Sequence, residues 1–228
     1  MNRNGLPRKA ARNGSLTRMK IIETASAEFV EKGYAGARVD EIVKKANISK
    51  NLLYHHFGSK EKLFIRVLEY NYTQLRAHQM DIHIQGMSPV DGMRNLINAT
   101  FQYFVDHPEI ISLLNTENLH KAIHIKQSER ILSMYHPVID MIKELLWRGT
   151  KDGIFRTGVD AIDLYISIVA LVYYYMSNRY TLSSIFNIDL TETARVRQRN
   201  DHVVDMLINY LTLPADPPNS KENSELSK

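Results

Sequence analysis

Hydrogen-bonding side chains are concentrated between residues 50 and 56, where the sequence reads KNLLYHH. Leu53 and Phe57 are four residues apart, so they share one face of a short helix and leave the polar side chains on the other face. The side chains that point outward are those of Lys50, Asn51, Tyr54 and His55. These residue types bind phosphate oxygens and base edges, so a helix that exposes them suits a nucleic-acid groove.

A second group of chemically active side chains contains two histidines and a glutamate. His120 and His124 are four residues apart, and Glu117 precedes His120 by three, which is a spacing that metal ligands use on one helix. With nine histidines in the chain, one such pair is unsurprising. We therefore predict no metal site, no cofactor and no enzymatic activity. A metal-dependent enzyme that uses the His and Glu residues of 117–124 stays open as an alternative.

Two short helices and a tight turn must position the polar face of residues 50–56. Apolar residues at positions i, i+3, i+4 and i+7 predict the first helix, namely Val39, Ile42, Val43 and Ala46. Asn47 can then adopt the left-handed conformation in which helices often end. Ser49 is predicted to cap the second helix, Gly58 to end it, and Ser59 to cap a longer third helix.

These residues resemble a known family. The run EIVKKANISKNLLYHHFGSKEKLF, with TRMKIIETASAEFVEKGY upstream, is similar to the DNA-binding domain of the tetracycline-repressor (TetR) family over roughly residues 15–70. The resemblance, together with the outward spacing, implies double-stranded DNA as a partner. It places the DNA contacts at Arg38, Lys50, Asn51, Leu52, Tyr54, His55 and Lys60. Lys60 opens a helix, where free N–H groups favour a phosphate.

The sequence departs from the usual family pattern at three places. Ala37 stands where a hydroxyl residue often caps the second helix of the domain, and Asn47 replaces the usual turn glycine. Asn51 and Leu52 replace a frequent Gly-Thr pair on the reading face. Because that face is altered, no operator sequence can be transferred to this chain from its relatives.

The composition limits the class of protein. The 228 residues are 44% hydrophobic, which is enough for one large core or two modest ones. The chain contains no cysteine, which excludes disulfides, thiolate catalysis and zinc sites with cysteine ligands. Residues 1–20 lack the apolar segment of a signal peptide, and the longest apolar run, 164–176, is too short to cross a bilayer. We expect a cytoplasmic protein with no membrane partner.

Charge is distributed unevenly along the chain. Residues 1–76 contain 15 Lys and Arg against 7 Asp and Glu, a net charge of +8. Residues 77–228 contain 14 against 18, a net charge of −4. The positive charge therefore accompanies the predicted helix-turn-helix, as binding to a polyanion requires.

The rest of the chain also has helical periodicity, and no stretch alternates with the period of a strand. The predicted fold class is all-α with about nine helices, an N-terminal helix-turn-helix domain and a C-terminal helical domain. The first helix is predicted to begin near Ser15 or Thr17 and to end at Gly33, and residues 181–190 are predicted to form a loop. Pro137 lies inside an apolar pattern and predicts a kink or a broken helix start.

Four segments follow from these patterns. They are a basic disordered arm over residues 1–14, a DNA-binding domain over 15–60, a ligand-binding and dimerisation domain over 61–213, and a disordered tail over 214–228. The arm and the tail are assigned from their polar composition and their Gly and Pro residues.

The apolar run 164–176 is hydrophobic on nearly every side of a helix, so both sides must be covered. A second copy of the chain can cover one side, which predicts a homodimer with a four-helix interface, as the resemblance also implies. The residues predicted at that interface are Leu171, Val172, Val203, Val204, Leu207 and Ile208. The alternative is a buried central helix in a monomer.

Polar groups embedded in apolar sequence predict a pocket for an unidentified small-molecule effector. The candidates are Asn115, Glu117, Asn118, His120, Trp147 and Tyr174. The sequence therefore predicts a sequence-specific transcriptional regulator, a repressor that an inducer releases from a palindromic operator. A DNA-binding dimer that is controlled by a protein partner, or that acts architecturally, remains the other alternative.

Overall fold

The computed structural model describes residues 6–82 and 84–212, and every regular element among them is helical. This confirms the predicted all-α fold class. The α-helices are α1 (Leu6–Gly36), α2 (Val39–Ala46), α3 (Lys50–Phe57), α4 (Lys60–Met80), α5 (Pro89–Asp106), α6 (Glu109–Leu119), α7 (Glu129–Ser133), α8 (His136–Lys151), α9 (Ala161–Phe186) and α10 (Thr193–Thr212). A 3-10 turn spans Ile125–Gln127. Within the described ranges, no helix is long and apolar enough to cross a membrane.

The helices form two compact units. The first unit contains the residues up to Ala77 together with Phe104–Tyr135, and the second contains His78–Tyr103 together with the residues from His136 onward. Helices α6 and α7 therefore pack with the N-terminal helices, although α5 separates them along the chain. The compact units do not divide at the boundary predicted between residues 60 and 61.

An aromatic cluster lies in the core of the first unit. The ring of Phe29 on α1 meets the ring of Phe64 on α4 edge-on, with centroids 4.8 Å apart. Tyr34 stacks on Phe29 and packs against Phe64, at centroid distances of 6.2 and 5.0 Å. Leu113 of α6 and Ile131 of α7 are buried in the same core and close it from the other side.

The predicted caps and stops are confirmed around the short helices. Gly33 interrupts α1 at φ 66°, and Asn47 ends α2 at φ 53° and ψ 53°, the left-handed conformation. Ser49 accepts a hydrogen bond from the N–H of Leu52 at 3.2 Å, and Ser59 accepts one from the N–H of Lys62 at 3.1 Å. These caps set where α2 ends and where α3 and α4 begin through local chemistry.

The ends of two helices differ from the prediction. The backbone of α1 is helical from Leu6, so residues 6–14 do not form the predicted arm, and residues 1–5 lie outside the described part. Helix α9 continues to Phe186 and ends at Asn187, which has φ 53°, so most of the predicted 181–190 loop is helical. Residues 6–14 contain Arg, Lys and Asn and residues 181–190 contain Ser, Asn and Asp, and neither composition is a strong signal against a helix. The predicted tail, residues 214–228, lies outside the described residues, as does residue 213 before it.

Proline and glycine organise the second unit. The predicted break near Pro137 is confirmed, because α7 ends at Ser133 and α8 begins at His136. Gly149 of α8 lies against the ring of Phe155, and a Cβ at this position would be only 2.1 Å from the ring. The turn after α8 is fixed by the N–H of Phe155, which donates to the carbonyl of Gly149 at 2.9 Å.

Candidate nucleic-acid interface

Helices α2 and α3 form a helix-turn-helix with one buried and one exposed face. Ile42, Leu53 and Phe57 are buried and hold the two helices on α1 and α4. The opposite face is polar, and Leu52 is half-buried at its edge. The exposed side chains are those of Arg38, Lys50, Asn51, Tyr54 and His55. The structure thus brings together six of the seven residues predicted to contact DNA.

A buried carboxylate holds α2 in place. Glu28 of α1 is 2% exposed, and its Oε2 accepts a hydrogen bond from the Nζ of Lys45 at 2.7 Å. Its Oε1 accepts from the N–H of Arg38 at 3.4 Å, at the start of α2. The hydrogen bond from Lys45 lowers the pKa of Glu28, more than burial raises it. One carboxylate therefore ties α1 to both ends of α2. The N-cap of α2 is Arg38 rather than Ala37, and its side chain makes no capping hydrogen bond.

Lys60, the seventh predicted contact, lies at the first turn of α4. Its Nζ is 3.4 Å from the carbonyl oxygen of Ala35 and 5.0 Å from the centroid of the Tyr34 ring. Burial lowers the pKa of Lys60 from its ordinary value. The ammonium group is held at the N-terminus of α4, where free N–H groups already favour an anion.

An ion pair crosses the exposed face of the helix-turn-helix. The Nζ of Lys50, the first residue of α3, is 2.8 Å from Oδ1 of Asp40 in the first turn of α2. The hydrogen bond raises the pKa of Lys50 and lowers the pKa of Asp40. Asp40 is an acid on an otherwise basic face, and the sequence prediction did not single it out. Helical spacing alone predicts that Asp40 is exposed, because it lies one turn from Lys44 and on the side of α2 opposite the buried Ile42.

Among the residues predicted to bind an effector, Glu117 is in the interior of the first unit. It is 2% exposed, and its Oε1 accepts hydrogen bonds from the backbone N–H of His124 at 2.8 Å and of Ile125 at 3.0 Å. Its Oε2 is 2.7 Å from Nδ1 of His124, which is itself 3% exposed. Glu117 thus uses both oxygens to close the turn after α6. Sequence reasoning noticed His124 only as a possible metal ligand and missed this role.

The turn that Glu117 closes has an uncommon backbone. Lys121 and Ala122 are consecutive residues with φ of 56° and 60°, a region that non-glycine residues rarely adopt. The ring of His124 lies 4.6 Å from the ring of Tyr34 and 4.8 Å from the ring of Phe64, so the turn is packed on the aromatic core of the first unit. The buried carboxylate stabilises a backbone conformation that is otherwise costly.

The other predicted effector residues are at the surface. Asn115, Asn118 and His120 are exposed on α6 and at its end, and Trp147 and Tyr174 are 63% and 59% exposed. None of the six lines either of two clefts in the second unit, of about 550 and 410 Å³. Within the described ranges, no three His, Asp or Glu side chains are grouped as a metal ion would require.

The residues predicted at the dimer interface are covered by their own chain. Val172, Val203, Val204, Leu207 and Ile208 are buried within one protomer, and Leu171 is half-buried. The periodicity showed correctly that these side chains are covered, but the cover is within the protomer. The apolar side chains of α9 and α10 that stay exposed include Ile162, Ile166, Tyr174, Met206 and Tyr210.

Between Ile162 and Tyr174, the exposed apolar residues of α9 form a stripe. Ile162, Ile166, Ala170 and Tyr174 recur every four residues, and all four are exposed. Beside the stripe, a cleft of about 550 Å³ lies between α9 and α10. It is lined mainly by small and apolar side chains, among them Leu171 and Met206, together with the carboxylates of Asp160 and Asp163. An apolar helix face of this length is typical of a protein–protein contact.

A helix-turn-helix with an exposed basic face, joined to a larger helical unit, defines a DNA-binding regulator. Residues 21–67 match the family described as bacterial regulatory proteins of the tetR family, and residues 89–207 match the tetracyclin repressor-like C-terminal domain. The chain belongs to the TetR family of transcriptional regulators, as the sequence resemblance predicted.

Curated relatives carry the same assignment. The HTH-type transcriptional repressor NicS of Pseudomonas putida is 32% identical over 182 residues, which are 80% of this chain and 86% of NicS. The HTH-type transcriptional repressor SCO4008 of Streptomyces coelicolor is 29% identical over 163 residues, or 71% of this chain and 79% of the relative. Both relatives are transcriptional repressors, which agrees with the predicted class of function.

Two solved structures share the fold. FadR from Bacillus subtilis in complex with stearoyl-CoA has a TM-score of 0.66 at 16% identity, covering 85% of this chain and 98% of FadR. AibR in complex with isovaleryl coenzyme A and operator DNA has a TM-score of 0.64 at 19% identity, covering 84% and 98%. At these identities the likeness shows the fold.

Proposed function

We propose that the protein is a dimeric repressor that binds a palindromic operator through α3 and releases it when a small molecule binds. The observation that carries the proposal is the exposed polar face of a helix-turn-helix whose other face is fully packed. In a two-fold dimer, two such helices would enter successive major grooves about 34–36 Å apart. We assign the DNA contacts to Arg38, Lys50, Asn51, Leu52, Tyr54, His55 and Lys60.

The assignment is tested by selecting bound sequences from random DNA and titrating the selected duplex. Tyr54→Ala and Lys60→Ala are each expected to weaken binding without unfolding the protein, because Tyr54 is 39% exposed and Lys60 is half-buried. Loss of one phosphate contact at Lys60 should also reduce the slope of log K against log salt concentration by about 0.9.

Lys143→Ala is the matched control for Lys60→Ala, because it removes one lysine from the exposed face of α8, where the side chain is 64% exposed. It should leave the salt slope unchanged. If Lys60→Ala has the same salt slope as the wild type, Lys60 does not contact a phosphate.

For the effector, we propose residues 61–213 as the binding region and the surface of α6 as its candidate site. Asn115, Asn118 and His120 are exposed there, and Glu117 would act by holding the adjoining turn. Trp147 and Tyr174 remain candidates on α8 and α9. The fold is shared with FadR and AibR, whose structures contain stearoyl-CoA and isovaleryl coenzyme A, so acyl-CoA thioesters are the first compounds to test.

An acyl-CoA effector should weaken operator binding by about 5- to 150-fold, the usual range of coupling between two sites. The measurement is a titration of the selected operator by fluorescence anisotropy with stearoyl-CoA, isovaleryl-CoA or free coenzyme A present. Free coenzyme A controls for anions that merely compete with DNA. If all three compounds act alike, acyl-CoA recognition is excluded.

A further inference from the structure

A carboxylate lies within the basic face of the helix-turn-helix. Asp40 is the second residue of α2, and its side chain is 59% exposed. Arg38 precedes it by two residues and acts electrostatically on its carboxyl group. Lys50 contacts it from α3. As an acid in the first turn of α2, Asp40 favours the helix dipole, but an acid at this end of the helix does not have to face the basic side chains. On a surface that binds phosphates, its carboxylate repels the DNA backbone.

The contact with Lys50 joins this carboxylate of α2 to the exposed face of α3. The Nζ of Lys50 donates a hydrogen bond to Oδ1 of Asp40 at 2.8 Å, and the Lys50 side chain is 51% exposed, so the pair faces solvent. A phosphate that recruits Lys50 has to compete with Asp40 for the ammonium group. Two effects therefore weaken DNA binding that uses phosphate contacts alone. The Lys50–Asp40 ion pair is lost, and the carboxylate repels the phosphates.

The same pair matches the edge of one type of base pair. In the major groove a G·C pair presents the N7 and O6 acceptors of guanine beside the N4 amino donor of cytosine. A lysine can donate to the guanine, and an aspartate can accept from the cytosine. Lys50 and Asp40 hold such a donor and such an acceptor side by side before any DNA is bound.

We propose that Asp40 is a specificity-determining residue, which accepts a hydrogen bond from a cytosine N4 amino group while Lys50 donates to the paired guanine. It also opposes binding to unrelated DNA. The inference rests on the proposed function, since it assumes that the exposed face of α3 enters the major groove. Asp40 of α2 thereby joins the side chains of α3 that contact base edges, and it recognises one base pair in each half-site.

The test compares two duplexes, the sequence selected by the wild-type protein and a random sequence of equal length, at one salt concentration. Asp40→Asn should tighten binding to the random duplex about threefold, because one repulsive charge is lost. It should weaken binding to the selected duplex about tenfold, because the cytosine loses its acceptor. The ratio of the two Kd values would then fall about thirtyfold. Selection repeated with Asp40→Asn should lose the preference for G·C at one position of each half-site.

Glu31→Gln is the matched control, because it removes the same charge from a 57% exposed glutamate on α1. It should change both Kd values by the same factor, so that their ratio stays the same. Asp40→Ala serves as a second variant, which lacks an amide that could itself bind a base, and it should lower the ratio in the same direction. The melting temperature of each variant checks that the fold is intact.

The possible results distinguish failure of the role proposed for Asp40 from failure of the proposed function. If the wild type selects a sequence and both Asp40 variants keep its ratio of Kd values within about twofold, this inference is overturned and the proposed function stands. A wild-type protein that selects no sequence would overturn the proposed function and the inference with it.

Discussion

Replacing Ile166 with glutamate is expected to convert the proposed dimer into a monomer and to weaken operator binding at least about 100-fold. Ile166 is 56% exposed and lies in the middle of the apolar stripe of α9. If a partner covers this stripe, an unpaired carboxylate there is desolvated at a cost of several kcal/mol. A monomer has only one reading helix, so it loses the second half-site and the gain in affinity that comes from linking two binding sites.

Light scattering measures the mass of the variant, and anisotropy with the selected operator measures its affinity. Asn95→Glu is the control, because it places the same charge on an exposed position of α5 in the same unit. It should leave both mass and affinity unaltered. A dimeric Ile166→Glu variant would exclude this stripe as the interface. Val204→Glu is a poorer test, because Val204 is buried in its own protomer and the substitution would unfold the chain.

Replacing Glu117 with leucine is expected to lower the free energy of unfolding by about 3–5 kcal/mol. The carboxylate accepts two backbone hydrogen bonds and contacts Nδ1 of a buried histidine. Leucine removes all three acceptor contacts and leaves the donors of His124 and Ile125 without a partner at the end of α6. Denaturation followed by circular dichroism measures the loss.

Glutamine at the same position separates hydrogen bonding from charge. Its amide oxygen can accept from both backbone N–H groups, and its amide N–H can donate to Nδ1 of a neutral His124. We therefore expect Glu117→Gln to cost only about 1 kcal/mol. If the leucine and glutamine variants are equally stable, the hydrogen bonds of Glu117 do not hold the turn.

Local chemistry made the helix-turn-helix predictable from sequence. Asn47, Ser49 and Ser59 act on backbone atoms within a few residues of themselves, so their roles are visible in a short stretch of chain. The helical spacing identified the exposed face, and the family resemblance implied that DNA binds to it. Asp40 was missed because its role depends on Lys50, which lies in the next helix.

Long-range packing accounts for what the sequence could not show. The periodicity of α10 indicates that Val203 and Leu207 are covered, but an apolar stripe does not say which chain covers it. The partner of Glu117 lies seven residues further on, beyond a turn in which Lys121 and Ala122 adopt positive φ. No short-range pattern predicts such a turn without glycine.

The packing of α6 and α7 on the N-terminal helices limits how modular this regulator is. The family match to the DNA-binding domain covers residues 21–67, yet the core of that region is completed by Leu113 and Ile131. A fragment that ends near residue 67 would leave Phe64 and its aromatic neighbours open to water. A chimera that exchanges DNA-binding domains between family members should carry residues 104–135 with that domain, since the two stretches pack into one compact unit.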